Sequence, residues 1–328
     1  MTRQRSYAGR DRSKRAAQEW ILRALDGGAG QAHKVANKAN ALPELRLIFK
    51  ETTEQGSEFV TDPYRVAMHH AAPWATEWEC NDLHKFSEEL RALVITRLAH
   101  LEDAGDFARS VDLSPKAIRR ACRSFPARTA IGLDHLHFRD IAILPDTALE
   151  DIGRILRDAI NSLEVHVQNL ISMMVLLGKK NGGSSTIAIL STFYRLLMKL
   201  LSGHITEWDL KAAGHWDTAV RCSSALRAAI ARCLDLELSA FEGLFVVHFL
   251  WDLRKFYDSV RITKLIDKLT ALGYPPQVMV LGLLAHKGPR TLMVGTPCSD
   301  NFASCGRSIL AGCQQSVSWA RGLMHNLV

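Results

Sequence analysis

The chain has 328 residues, of which 47% are hydrophobic and 23% are charged, a composition typical of a globular protein with enough core for one large domain or two. Its formal net charge is +7 with a sequence pI near 9.1, a surplus of cations that fits a polyanionic partner without requiring one. No apolar run approaches the length of a membrane span, and no apolar segment follows the basic N-terminus. The composition therefore excludes an integral membrane protein and predicts an intracellular location, nuclear or cytoplasmic.

The first 20 residues carry six cations against two acids, and two interpretations of this basic arm stay open. It is either a solvated tail or a segment that binds nucleic acid or directs targeting. The seven cysteines include no Cys-x-x-Cys pair and no paired histidines at zinc-finger spacing. We therefore expect reduced thiols that pack as small hydrophobic side chains, and no zinc site.

Hydrophobic periodicity predicts a helical N-terminal region with one short helix over residues 16–27 and a longer one over 82–101. Residues 29–78 show little periodicity and receive no assignment. Ser114 and Pro115 then predict the start of another helix, since serine caps a helix and proline fits its first turn.

That helix presents a run of cations with few acids nearby. Two interpretations are open: a solvated helix face, or a surface that contacts nucleic-acid phosphates. The candidate phosphate-binding residues are Arg119, Arg120 and Arg123, with Lys116 and Arg128 beside them.

Two short apolar runs, residues 171–177 and 187–190, flank a glycine-rich turn and predict a β-hairpin with Lys179 and Lys180 at its tip. An amphipathic helix over 149–170 precedes this hairpin, and a second helix over 191–200 follows it. An alanine-rich helix over 221–235 comes next.

Residues 244–251 hold seven apolar residues out of eight and lead directly into Asp252, a pattern that predicts a strand buried on both faces with a carboxylate at its end. The segment through Tyr257 and Asp258 resembles motif A of retroelement reverse transcriptases, Asp-x-x-x-Phe-(Phe/Tyr)-Asp-Ser. This resemblance implies that Asp252 binds catalytic magnesium and that Tyr257 senses the sugar of the incoming nucleotide.

The hairpin region is similar to the fingers of the same polymerases, whose pattern is Lys-Lys-x-Gly-Gly-x-Arg-Pro followed by a helix with Tyr-Arg. The upstream string Gly132-Leu-Asp134-His-Leu resembles the Gly-x-Asp-x-hydrophobic segment that begins their fingers. By this match Lys179 and Lys180 are candidate nucleotide-binding residues. Ser185-Thr186 stands where the family has Arg-Pro, and serine lacks the charge and the forked donors of arginine, so nucleotide binding is expected to be weakened.

Helices over 262–272 and 277–287 and a strand over 290–294 follow, and residues 307–316 then resemble motif B, Gly-x-x-Gln-Gly-x-x-x-Ser-Pro. In this match Gly312 takes the first glycine, Gln315 the glutamine that supports the nascent base pair, and Ser316 the second glycine. Gln314 is an alternative one residue earlier. The competing interpretation is a polar loop that caps a final helix over 317–327.

The resemblance implies an α+β, helix-rich fold: an incomplete right-hand polymerase with fingers and a partial palm at 115–328, motif A near 252–259 and motif B near 307–316. Residues 1–114 would be a basic arm and a helical extension. The implied partners are an RNA template, a DNA primer and deoxynucleotide triphosphates, and the implied cofactor is Mg²⁺, which two-metal phosphoryl transfer requires.

Catalysis by this family also needs a downstream Asp-Asp pair, and none occurs before the chain ends at Val328. The sequence therefore predicts a truncated, inactive RNA-directed DNA polymerase fragment. One rival hypothesis is a non-catalytic nucleic-acid-binding protein that retains the polymerase scaffold. The other is an unrelated helical protein in which Asp252 is a paired core carboxylate.

Overall fold

The computed structural model describes residues 18–19, 22, 48–53, 56–81, 104–179, 183–214, 217–220, 224–245, 247, 253–300 and 303–325. The predicted helix over 82–101 lies outside these residues, as does most of the one over 16–27, of which residues 18, 19 and 22 are helical. Lys180 and Asp252 also lie outside them.

The described chain is an α+β structure in which helices predominate and the sheets are small. The helices are α1 (Pro63–Glu77), α2 (Ala104–Ser110), α3 (Pro115–Arg123), α4 (Phe138–Ala142), α5 (Asp146–Ser162), α6 (Thr192–Leu200), α7 (Ser202–Ala212), α8 (Ala225–Phe241), α9 (Phe256–Ser259), α10 (Ile262–Ala271), α11 (Pro276–Lys287) and α12 (Gln314–Met324). The strands are β1 (Phe49–Thr53), β2 (Gly56–Val60), β3 (Cys80–Asn81), β4 (Ser172–Gly178), β5 (Ser184–Ile189), β6 (Arg290–Met293) and β7 (Ala303–Cys305).

The chain divides into two compact units, and the division differs from the predicted boundary at residue 114. One unit combines residues 1–41 with 213–253, and the other combines residues 42–212 with 254–328. The part of the predicted extension that follows residue 41 therefore groups with the predicted fingers and palm. In the first unit the main described element is α8, which Ser224 caps through a hydrogen bond from the amide of Arg227 (3.1 Å).

The central sheet of the second unit confirms the predicted hairpin. Strand β4 pairs antiparallel with β5 and parallel with β6, so Met174 lies between Ala188 and Leu292. The middle of β4 is apolar and largely buried, as expected for the central strand of a sheet that is covered on both faces. The predicted strand over 290–294 is thus confirmed as β6.

Most predicted helices of the second unit form close to their expected bounds. The hydroxyl of Ser114 accepts the amide of Ala117 (3.2 Å), and this cap begins α3 as predicted. The helix predicted over 149–170 ends earlier, because Leu163 adopts a left-handed conformation (φ +54°) and closes α5. The last helix begins at Gln314 instead of Val317, so part of the predicted motif B loop is helical.

The hydrophobic core of the second unit includes α1, which lies in a region that hydrophobic periodicity leaves unassigned. Its buried face carries Val66, Ala71 and Trp74, and Trp78 follows directly after the helix as one of the largest fully buried side chains. Asp62 begins α1 by accepting the amide of Arg65 (2.8 Å). Residues 62–78 are therefore a structural part of this unit.

The predicted buried strand over 244–251 is wrong at the residues that the structure describes. Leu244, Phe245 and Val247 lie outside any helix or strand, and their exposed fractions are 59%, 103% and 73%. A run of apolar residues is buried as a strand only when a neighbouring sheet packs against it. The exposure of these three residues shows that no sheet packs against them.

Candidate functional site

The segment predicted as motif B lies between the end of the predicted motif A and the predicted fingers hairpin. The amides of Ser308 and Ile309 donate to the carbonyls of Val260 (2.8 Å) and Tyr257 (2.9 Å), which follow Asp252 in the chain. On the other side, the amide of Ala188 in β5 donates to the carbonyl of Ala311 (2.7 Å). Three segments that were predicted separately from the sequence therefore meet in one hydrogen-bonded junction.

The junction depends on a tight bend at Gly312. This glycine has φ +110°, and a Cβ atom here would lie 2.7 Å from the carbonyl oxygen of Ala188. Both facts favour glycine, since a side chain would strain the backbone and collide with β5. Ser316, at the position of the second motif glycine, donates its hydroxyl to the carbonyl of Leu310 (2.7 Å) and so stabilises the bend by a hydrogen bond.

A buried histidine also holds this bend. Nδ1 of His286 accepts the amide of Leu310 (3.0 Å), and its ring lies 4.3 Å from the ring of Trp319. Burial lowers the pKa of His286 well below its usual value, so the imidazole is neutral and free to accept at Nδ1.

The predicted start of the fingers contacts the helix that follows the hairpin. Gly132 approaches the backbone so closely that a Cβ atom would lie 2.7 Å from the carbonyl oxygen of Leu190. The carboxylate of Asp134 accepts the amide of Thr192, the first residue of α6, and the hydroxyl of Thr192 donates to the carbonyl of Leu136 (2.7 Å). A carboxylate at a helix N-terminus also compensates the positive end of the helix dipole. Gly132 and Asp134 thus position α6 and the end of β5.

Tyr257, the predicted sugar sensor, is half buried in α9 and packs against the core, with its ring 5.5 Å from that of Phe256. Its predicted relation to Asp252 stays a prediction, because Asp252 lies outside the described residues. The next residue, Asp258, accepts a hydrogen bond from Nε1 of Trp78 (2.9 Å). Burial raises the pKa of Asp258, while the Trp78 bond and the charges of Arg290 and Lys255 oppose that shift.

Residues at the end of α1 and directly after it contact both predicted motif segments. Glu77 pairs with Lys255 (2.9 Å), whose ammonium lies 4.8 Å from the ring centre of Trp74. Glu79 pairs with Arg307 (2.8 Å) at the start of the predicted motif B. Residues 77–79 therefore hold the end of the predicted motif A and the start of the predicted motif B together.

The sequence prediction missed the structural importance of a buried arginine at this junction. The guanidinium of Arg290 donates to the hydroxyl of Ser308 (3.0 Å) and to the carbonyl of His286 (2.8 Å), and it lies 4.7 Å from the ring centre of Trp78. A lone arginine in a short strand gives no sequence signal for this role. The spacing of Trp74 and Trp78 by four residues was an available signal for a buried helix face.

Magnesium is the cofactor that the resemblance implies, and the described residues can be compared with what it requires. Two described carboxylates near the end of the predicted motif A already have partners: Asp258 accepts from Trp78, and Glu77 pairs with Lys255. In the described part of the chain, no group of three or more His, Cys, Asp or Glu side chains is suited to a metal ion. Magnesium requires several oxygen ligands, so the described residues alone do not fit a magnesium site. The predicted ligand Asp252 is not among them.

Gln315, predicted to support a base pair, faces the interior instead. It is fully buried in α12, where its Nε2 donates to the carbonyl of Val278 (3.2 Å) and lies against the sulfur of Met198. The absence of a side chain at Gly282 leaves room for it, since a Cβ atom there would overlap the amide of Gln315. The neighbouring Gln314, the alternative register, is exposed and is the glutamine that a ligand could reach.

The predicted phosphate-binding arginines divide into two groups. Arg119 is half buried, and its guanidinium donates to the carbonyls of Ala142 (3.2 Å) and Leu144 (3.0 Å) and pairs with Asp146 (2.7 Å). The prediction for Arg119 is therefore corrected, because its donors hold the connection from α4 to α5. Arg120 and Arg123 are exposed on α3.

A groove of about 250 Å³ lies beside α3 and carries some of these cations. Its lining includes Arg120, Lys199, Ser124, Ser202 and Asp112. The hydroxyls of Ser124 and Ser202 already donate to backbone carbonyls, both at 2.7 Å. The two cations, Arg120 and Lys199, are therefore the groups of this groove that can bind phosphate oxygens. The groove extends the exposed cations of α3 onto α6 and α7.

Lys179 lies exposed at the end of β4, where its amide donates to the carbonyl of Gly183 (3.2 Å) and begins the hairpin turn. Lys180 at the same tip lies outside the described residues. Among the predicted nucleotide-binding residues, Lys179 is thus accessible, Tyr257 is half buried and Gln315 is inaccessible.

In comparisons with known proteins, no family model and no curated protein matches the chain. In the part of the chain that the structure describes, no helix is both long enough and apolar enough to span a membrane.

Proposed function

We propose that this chain is a reverse-transcriptase-like fragment, with fingers and the first part of the palm, that binds an RNA template paired with a DNA primer. The observation that supports the proposal is the junction at residues 307–312. The predicted motif B, the end of the predicted motif A and the predicted fingers hairpin are far apart in sequence, yet they share backbone hydrogen bonds there.

The proposed activity of these 328 residues by themselves is binding without synthesis. The 328 residues contain no Asp-Asp pair, and a single carboxylate at Asp252 does not hold two magnesium ions. Nucleotide binding is weak in this proposal, because Ser185 stands in place of the triphosphate-binding arginine and Gln315 is buried.

A second candidate function is a general nucleic-acid-binding protein that retains the scaffold. The observation that favours it is the exposed cation surface formed by Arg120, Arg123 and the groove with Lys199. Such a surface binds any phosphate backbone and carries no information about the type of strand.

Fluorescence anisotropy with labelled nucleic acids distinguishes the two candidates. A reverse-transcriptase-like fragment binds an RNA template with a recessed DNA primer more tightly than single-stranded RNA or duplex DNA of equal length. A general binder shows equal affinities once the phosphate number is matched. Equal affinities would therefore reject the first proposal and support the second.

Charge reversal at Arg120 and Arg123 tests the binding surface itself. For a double Arg→Glu variant we expect the slope of log K against log salt to fall by about 1.5 to 2, near the value for two lost phosphate contacts. The matched control is Lys264→Glu with Lys268→Glu, the same charge change on the exposed side of α10. An equal effect of the control would show that net charge alone drives binding.

Primer extension with Mg²⁺ tests the claim of inactivity. We expect no extension above the level of Asp252→Ala, and we expect that variant to bind the primer–template as tightly as the wild type. Robust synthesis that is lost in Asp252→Ala would overturn the inactivity while supporting the polymerase relationship.

A further inference from the structure

Two cysteines face each other across the short sheet that joins the region after α1 to the start of the predicted motif B. Strands β3 and β7 are antiparallel, and Cys80 lies directly opposite Cys305 in their register. The two sulfur atoms are 3.4 Å apart although the residues are separated by 225 positions in the chain. Both thiols are free, and this contact is close enough for a bond to form with a small side-chain movement.

The surroundings of this pair place the negative charge on the buried sulfur. The hydrogen bond with Cys305 and burial raise the pKa of Cys80 well above its usual value. The pKa of Cys305 is lowered to about 7, chiefly by the hydrogen bond from Cys80 and also by the cations of Arg290 and Lys287, against the effect of burial. Cys305 is fully buried, whereas Cys80 is half buried and open to small molecules. Glu79, the acid next to Cys80, is already paired with Arg307 (2.8 Å). One accessible sulfur beside one buried thiolate is the arrangement of an oxidisable pair.

We propose that Cys80 and Cys305 are a modification site at which hydrogen peroxide or a small organic hydroperoxide closes a disulfide across β3 and β7. This inference does not depend on the proposed nucleic-acid function. It rests on the register, the sulfur contact and the difference in access between the two thiols. In a reducing compartment the disulfide is transient and is reopened by thiol exchange.

The reaction balances with peroxide as the oxidant. The Cys305 thiolate acts as the base: it takes the proton of Cys80 while the Cys80 sulfur attacks a peroxide oxygen, so that the O–O bond breaks and Cys80 becomes a sulfenic acid. The released hydroxide takes the proton of Cys305 and becomes water. The Cys305 thiolate then attacks the sulfur of Cys80, the S–S bond forms, the S–O bond breaks, and the second hydroxide takes a proton from solvent. Two electrons pass from the sulfurs to the peroxide, which leaves as two waters.

The disulfide would join Cys80 covalently to β7, the strand that directly precedes the predicted motif B. The same contact region already contains the Trp78–Asp258 hydrogen bond and the Glu79–Arg307 ion pair. Because the bond would close a loop of more than 200 residues, it removes much conformational freedom from the unfolded chain. We expect oxidation to raise the Tm by about 5 to 10 °C.

Peptide mapping of the full chain after limited peroxide treatment tests the proposal. The reduced protein receives about one equivalent of hydrogen peroxide, is alkylated, and is digested without reductant. We expect a linked peptide containing Cys80 and Cys305, the loss of two thiols per chain, and the higher Tm, all reversed by dithiothreitol. The exposed Cys233 is the internal control, because its oxidation reports how far solvent exposure of a thiol is sufficient for reaction with peroxide.

The variant Cys305→Ser separates the two chemical steps. Without its partner, the sulfenic acid at Cys80 cannot close, so a dimedone adduct should accumulate at Cys80 and no linked peptide should form. The wild-type mapping needs no variant, so the test stands even if this variant folds poorly. Oxidation that falls on Cys233 and leaves Cys80 and Cys305 unlinked in the wild type would overturn the proposal.

Discussion

Replacing Gly312 by alanine tests whether the predicted motif B bend lies directly against strand β5. Alanine at φ +110° adopts a backbone conformation that L-residues disfavour, at a cost of about 1–2 kcal/mol. Its Cβ would also lie 2.7 Å from the carbonyl oxygen of Ala188, and that strand is held by its register with Met174, so the overlap adds about 1–3 kcal/mol. We therefore expect Gly312→Ala to lower the free energy of unfolding by about 2–5 kcal/mol.

The matched control is Gly56→Ala, since Gly56 also has a positive φ (+130°) but a Cβ atom added there would meet no atom within 4 Å. Urea unfolding gives the free energies of both variants. Hydrogen–deuterium exchange reports the amide of Ala188, which donates to Ala311 and should lose protection only in Gly312→Ala. Equal destabilisation by the two variants, with Ala188 still protected, would refute the close contact between the bend and β5.

Three further substitutions follow from the buried contacts. Gln315→Ala should lower the free energy of unfolding in urea by about 2–3 kcal/mol, whereas Gln314→Ala should change that free energy by less than about 0.5 kcal/mol. A larger effect of Gln314→Ala would contradict the burial of Gln315. Arg119→Ala should lower the free energy of unfolding by about 1–3 kcal/mol and leave the salt dependence of RNA binding unchanged. A smaller slope of log K against log salt in this variant would show that Arg119 contacts phosphate. Burial raises the pKa of Asp258, so this carboxyl holds a proton more readily in the folded protein than in the unfolded chain. The free energy of unfolding of the wild type therefore falls as pH rises through the pKa of the folded protein. Asp258→Asn keeps an acceptor for Trp78 without this titration, so its Tm should exceed that of the wild type at pH 7 and match it below about pH 4; a Tm difference that does not change with pH would contradict a buried carboxyl.

Local patterns in the sequence predicted much of the second unit correctly. The hairpin of β4 and β5 could be predicted because two apolar runs flank a glycine-rich turn, and α3 because Ser114 and Pro115 form a start signal. These features depend on residues within a few positions of one another, and the backbone preferences that they express act at the same range. The order of the polymerase-like motifs is likewise a property of the sequence alone.

The tertiary structure alone decided which polar side chains face inward. Arg119 and Arg120 are adjacent cations, yet only Arg119 meets the carbonyls after α4, and this choice depends on a helix that lies more than 15 residues away. Gln315 is buried because Gly282, on another helix, leaves space for its amide. Neither partner can be identified from the local pattern around these residues.

The same physical reason explains the region after α1 and the pair of cysteines. Cys80 and Cys305 look like isolated small residues in the sequence, and only the antiparallel pairing of β3 and β7 brings their sulfurs within 3.4 Å. Sequence by itself determined the hairpin of β4 and β5, the start of α3 and the strand β6, and it determined which strings resemble polymerase motifs. The contacts that give buried arginines, carboxylates and thiols their chemistry were decided by folding, because burial and partner distance arise only when remote elements pack together.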